Sequence, residues 1–96
     1  MQPLRITQLK DAIRSEHRCE ALYIKTVHIS QTSAHATPDH GLVMVFELVG
    51  HSETECCYAW TCREGDRIET LTALKIPPVT SPEAAVLAAS ADREKS

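Results

Sequence analysis

Four cysteines and five histidines are the residues of this 96-residue chain best suited to chemistry. His51, Cys56, Cys57 and Cys62 fall close together, and Cys19 follows His17-Arg18. A structural zinc site usually takes ligands in close pairs such as C-x2–4-C. Cys57 and Cys62 have such a spacing, but on an extended strand they point to opposite faces. Cys56 and Cys62 share a face yet lie ~20 Å apart at ~3.3 Å per residue. Neither pair chelates easily, so no metal and no cofactor is expected, and the cysteines read as small buried hydrophobes in a sheet. A nucleophilic thiol needs a lowered pKa from a helix N-terminus or a neighbouring cation. Cys19 instead follows a helix C-terminus, whose negative end raises a thiol pKa. A thiol- or metal-dependent enzyme built on His51 and Cys57 is one alternative; the expectation is a protein that is not an enzyme. His17 and His51 sit at element ends, His28 in a strand, and His35 and His40 flank a polar loop. No Ser–His–Asp order stands out among them.

The aromatic residues are Tyr23, Phe46, Tyr58 and Trp60. Tyr58 and Trp60 alternate with Cys56 and Cys62 on one strand face. Tyrosine and tryptophan need partners for their polar tips, which favours half-buried or interface positions. This stripe belongs either to a core under the helices or to a ligand groove or subunit seam. Tyr58, Trp60, His51 and Cys56 are therefore the binding or interface candidates. Lys10, Arg14 and Arg18, four residues apart, line one helix flank and could meet phosphates. They could equally be a rim whose aliphatic stems cover the core edge, and Asp11 and Glu16 lie among them.

The elements that must position these groups follow from periodicity. Ile6, Leu9 and Ile13 mark one face of a helix over residues 7–17, with Thr7 as its N-cap. Residues 20–31, 41–49, 55–62 and 67–76 read as strands, separated by turns at Pro38-Asp39, Gly50–Glu53 and Arg63–Asp66. Leu42, Met44, Phe46 and Leu48 point one way from their strand, and Val43, Val45 and Val49 the other. Pro77-Pro78 ends the fourth strand, since proline donates nothing to a ladder. Thr80 and Glu83 have capping-box spacing before a helix with Ala84, Leu87, Ala88 and Ala91 on one stripe and Ala85, Val86 and Ala89 on another. The expected fold is α+β: helix, four-stranded antiparallel meander, helix, as a two-layer sandwich with both helices across one sheet face. Residues 1–91 form a single domain, and 92–96 a charged tail that frays.

Composition narrows the function. The net charge is −3, which disfavours a strongly cationic nucleic-acid or membrane binder. The apolar run Leu42–Phe46 is of strand length, and no run approaches the ~20 residues that cross a bilayer. Met1–Arg5 lacks the apolar core of a signal peptide. With adjacent cysteines and no export signal, the chain is expected in the cytoplasm with its thiols reduced.

Two resemblances add to this. The helix–strands–helix order is similar to the double-stranded-RNA-binding domain, with Pro38-Asp39-His40 resembling its loop signature and Ser81, Ala85 and Ala89 its last helix. RNA binding is what that implies. However, Pro82, Glu83 and Val86 stand where that family carries lysines, and one strand is extra. The phosphate-binding cations are thus missing, and the nucleic-acid reading falls back on Lys10, Arg14 and Arg18. Over roughly residues 7–90 the chain also resembles a set of small bacterial proteins of unknown function. That likeness rests on residues 45–51, on Cys57-Tyr58-Ala59-Trp60, and on residues 77–82 followed by an alanine-rich helix. It implies a bacterial, cytosolic domain and carries over no activity.

Apolar residues on both sheet faces exceed what two helices on one face can hide. The leading expectation is a non-catalytic binding or regulatory module acting as a homodimer, with the open face around Tyr58 and Trp60 as the seam or as the surface for a small ligand or protein partner.

Overall fold

The computed structural model describes residues 4–29, 38, 41–64, 66–77 and 79–94. His35, His40, Asp39 of the expected turn and the last two residues of the tail lie outside them. The elements are α1 (Leu4–His17), β1 (Glu20–His28), β2 (Leu42–Val49), β3 (Cys56–Glu64), β4 (Arg67–Leu74) and α2 (Pro82–Glu94). The strands form one antiparallel meander in the order β1-β2-β3-β4. The α+β class and the helix–meander–helix order are those read from the sequence.

The layering differs. The helices take one sheet face each, so the sheet is the middle of three layers rather than half of two. Ile6, Leu9 and Ile13 of α1 pack on Ala21, Met44, Phe46, Leu48, Cys57 and Ala59. Ala85 and Val86 of α2 pack on Val43, Val45, Tyr58, Trp60 and Cys62. Alternating side chains of β2 and β3 thus feed two separate cores. Phe46 is the largest side chain in the first and Trp60 in the second; neither retains any exposure. Strands that are apolar on both faces are stable only when both are covered, and that requirement divides the helices.

The helix ends also depart from the expected caps. Thr7 lies inside α1, about a turn beyond Leu4. Ser81, not Thr80, caps α2: its hydroxyl accepts the Ala84 N–H at 3.1 Å, and Pro82 fills the first helical position, where no N–H is needed. Arg18 closes α1 with a left-handed φ of 57°, its N–H donating to the Arg14 carbonyl at 2.9 Å.

The link from β1 to β2 is clamped at Gly41. Its φ is 70°, its carbonyl accepts the Ile29 N–H at 2.9 Å, and a Cβ there would sit 2.8 Å from the Ile29 carbonyl oxygen. Gly50 has φ 85° but nothing within 4 Å of such a Cβ. Gly50→Ala is expected to cost ~1–2 kcal/mol, the left-handed backbone term alone. Gly41→Ala should cost more, because a main-chain oxygen must also move; chemical denaturation of the two variants measures the difference.

Candidate binding groove

The α2 side of the sheet is only partly roofed. α2 lies closest to β4, and its buried residues Ala85, Val86 and Ser90 have small side chains with short reach. At the far corner, Leu22 and Val49 are diagonal neighbours across β1 and β2 and remain 49% and 50% exposed. Ile24 is the extra residue of a bulge between Tyr23 and Lys25 and is 50% exposed as well.

Between this corner and the start of α2 runs a groove of about 310 Å³. One cross-strand row builds its centre: Lys25 pairs with Val45, Val45 with Tyr58, and Tyr58 with Ala73. Val27 extends the floor along β1, and Pro82 of α2 closes one end. Cys56 comes from the next row, opposite Glu47. Lys75 is fixed beside it by its own N–H, which donates to the Cys56 carbonyl at 3.0 Å. The Thr54 hydroxyl secures the same junction, donating to the Lys75 carbonyl at 3.0 Å.

The groove has an apolar floor and two cations in its lining, with no carboxylate among the lining residues. Burial pushes the Cys56 thiol up, against the opposing pull of Lys75 and, more weakly, Lys25. Burial likewise raises Tyr58, helped by Cys56 and by Glu83 on α2. Both groups are therefore neutral near pH 7, and the two ammonium groups supply the charge of the lining.

Of the four candidates read from the sequence, the groove gathers Cys56 and Tyr58. Trp60, fully buried, is core under α2 and offers no surface to a ligand or a seam. His51 sits in the β2–β3 connection, where its Nδ1 accepts the N–H groups of Glu53 and Thr54 at 3.1 and 3.4 Å. Its ring meets His17 edge-on at 6.4 Å. Lys25 and Lys75 were not anticipated. The available signal was a cation interrupting an apolar stretch in each case, but simple alternation puts Lys25 on the face of Tyr23. The bulge at Ile24 moves it to the other face.

The basic flank is interleaved with acids. Arg14 pairs with Glu20 at 2.7 Å, and Lys10, Asp11, Arg14 and Glu20 share a crevice of about 140 Å³ between α1 and β1. Arg18 is exposed beyond the helix end. Cys57 and Cys62 lie on opposite faces, in different cores. Among the described residues, no three His, Cys, Asp or Glu side chains converge as a metal site. A polar cluster that the sequence did not reveal lies at the α1 end: the Thr72 hydroxyl donates to the Glu16 carboxylate, and His17 Nε2 lies 3.0 Å from the Thr72 oxygen and 3.7 Å from Glu16. Carboxylate and hydroxyl crowd the same ring nitrogen, whereas a catalytic triad has them on opposite nitrogens.

The fold and this groove describe a small three-layered α+β domain with a half-open, cation-flanked cleft. Compared with known protein families, with curated proteins and with solved structures, the chain matches none.

Cys57, without exposed surface, is pushed from 9.0 up to about 12, chiefly by burial. The folded state thus holds this proton more tightly than the unfolded chain does. Its contribution to stability is complete below pH 9 and is lost as pH rises from 9.0 toward about 12. The slope approaches ~1.4 kcal/mol per pH unit at most. Urea titrations at pH 8 and pH 10.5 should show that decline in the wild type and a smaller one in Cys57→Ala.

Proposed function

We propose that the chain is a cytosolic, bacterial, non-catalytic binding module that acts as a homodimer. The groove over Val45 and Tyr58 is the observation that carries the binding role. It is concave, its floor is apolar, and a few polar groups converge on it, which is the usual make-up of a small-ligand site. Its volume falls at the small end of such sites, so the ligand is small or is the tip of a larger molecule. The Cys56 thiol in its lining is held protonated by burial, which suits packing and contact better than nucleophilic attack. Free cysteines at four positions suit a reducing compartment. Among the described residues no helix is long and apolar enough to cross a membrane. The bacterial assignment rests on the resemblance described above.

The homodimer reading rests on the corner of Leu22, Ile24 and Val49, each about half exposed on or beside the edge strand β1. A two-fold contact would cover it with the same corner of a second chain. Two measurements test the two halves separately. An uncharged apolar probe, 1-hexanol, should shift the amide resonances of Val27, Val45, Cys56 and Tyr58; absent or scattered shifts would remove the binding role. Light scattering at ~100 μM, well above the dissociation constants of typical ~1,600 Å² interfaces, should give the mass of two chains, and Leu22→Glu should reduce it to one. A wild-type mass of one chain would remove the dimer.

A further inference from the structure

From the charge and shape of the groove we infer its ligand class: a small molecule with an apolar body and one carboxylate. This rests on the binding role proposed above. The body lies on Val27, Val45 and Tyr58, and the carboxylate is held between Lys25 and Lys75. Three observations converge. The cations reach the groove from opposite sides, Lys25 from β1 and Lys75 from the segment after β4, and both are close enough to act on the Cys56 thiol between them. Their backbone positions are fixed by separate devices, the Lys25–Val45 register beyond the Ile24 bulge and the bond from the Lys75 N–H to the Cys56 carbonyl. No carboxylate lines the groove to neutralise them. Two carboxylates lie outside the lining: Glu83, felt at the Tyr58 hydroxyl, and Glu47, across from Cys56. Both side chains are exposed, and their charge is correspondingly screened by water. The remaining groups, the Cys56 thiol and the Tyr58 hydroxyl, are neutral donors that a carboxylate can use.

Another concavity among the described residues, about 350 Å³ between β4 and α2, is lined by Leu71, Thr72, Ala73, Leu74, Val79 and alanines of α2. It has no charged group to select an occupant. Charge complementarity singles out the first groove.

The test compares three probes on the full chain by amide chemical-shift titration: octanoate, 1-octanol and acetate. Octanoate should move Val45, Cys56 and Tyr58 and bind about tenfold more tightly than either of the others, since it alone combines body and charge. The double substitution Lys25→Met/Lys75→Met should remove that tenfold advantage, while 1-octanol still binds the groove. Lys10→Met, outside the groove, should change nothing. As a second readout that needs no variant, octanoate should slow iodoacetamide labelling of Cys56 several-fold relative to Cys19. If 1-octanol binds the groove as tightly as octanoate, or the lysine variant keeps the full preference, the carboxylate assignment fails while the binding role stands. If no probe moves the groove residues, both fail.

Discussion

The structure depends on one requirement: β2 and β3 must be dry on both faces. Val43, Met44, Val45 and Phe46 are all buried in succession, as are Cys57 through Cys62. The central run of such a strand cannot be left bare on either side, because each alternate side chain would forfeit the ~1.5–3 kcal/mol that burial of a large aliphatic or aromatic group contributes. Two helices are supplied, and the only arrangement that meets the requirement assigns one to each face. The meander then follows. Short connections join β2 to β3 and β3 to β4, all neighbouring strands are antiparallel, and the most apolar pair takes the centre, with β1 and β4 outside.

The two roofs are unequal because their residues are. α1 sends Ile6, Leu9 and Ile13 into its core, long side chains on one narrow stripe. α2 sends Ala85 and Val86, with Ala89 packed alongside. Small residues let a helix backbone come close to a sheet, and Trp60 fills the space beneath. What a small-residue helix cannot do is spread. The strands farthest from it keep Leu22 and Val49 half exposed, and the groove opens where the cover ends. The groove is thus a direct result of α2's composition, and its position over Tyr58 follows from α2 lying nearest β4.

Much of this was legible in the sequence. The six elements, the meander and the face assignments within β2 and β3 follow from periodicity, because those strands run without interruption and their register is fixed by short turns. Three things were not legible. The division of the helices requires knowing that an apolar face cannot be left bare when a second helix is available, which no local pattern encodes. Trp60 reads equally well as core or surface, since its alternation partners Tyr58 and Cys62 are amphipathic or small. The face of Lys25 was hidden because a bulge adds one residue to one strand and reverses the parity of everything after it, and no glycine or proline marks Ile24 as the insertion.

That insertion has consequences on three levels. An edge strand such as β1 offers unpaired backbone groups to any other strand, and a bulge with a cation beside it is a common way to blunt that tendency. Ile24 and Lys25 supply both. The same extra residue turns Lys25 from the Tyr23 face to the Val45 face, where it joins Lys75 around Cys56. It also leaves Ile24 half exposed beside Leu22, enlarging the bare corner. Without the bulge, plain alternation would bring Lys25 into the α1-side row and Ile24 over the groove floor. The charge would then lie against the Phe46 core and the groove would lose one of its two cations. A single backbone irregularity therefore gives the groove one of its two cations, while the small side chains of α2 leave it open.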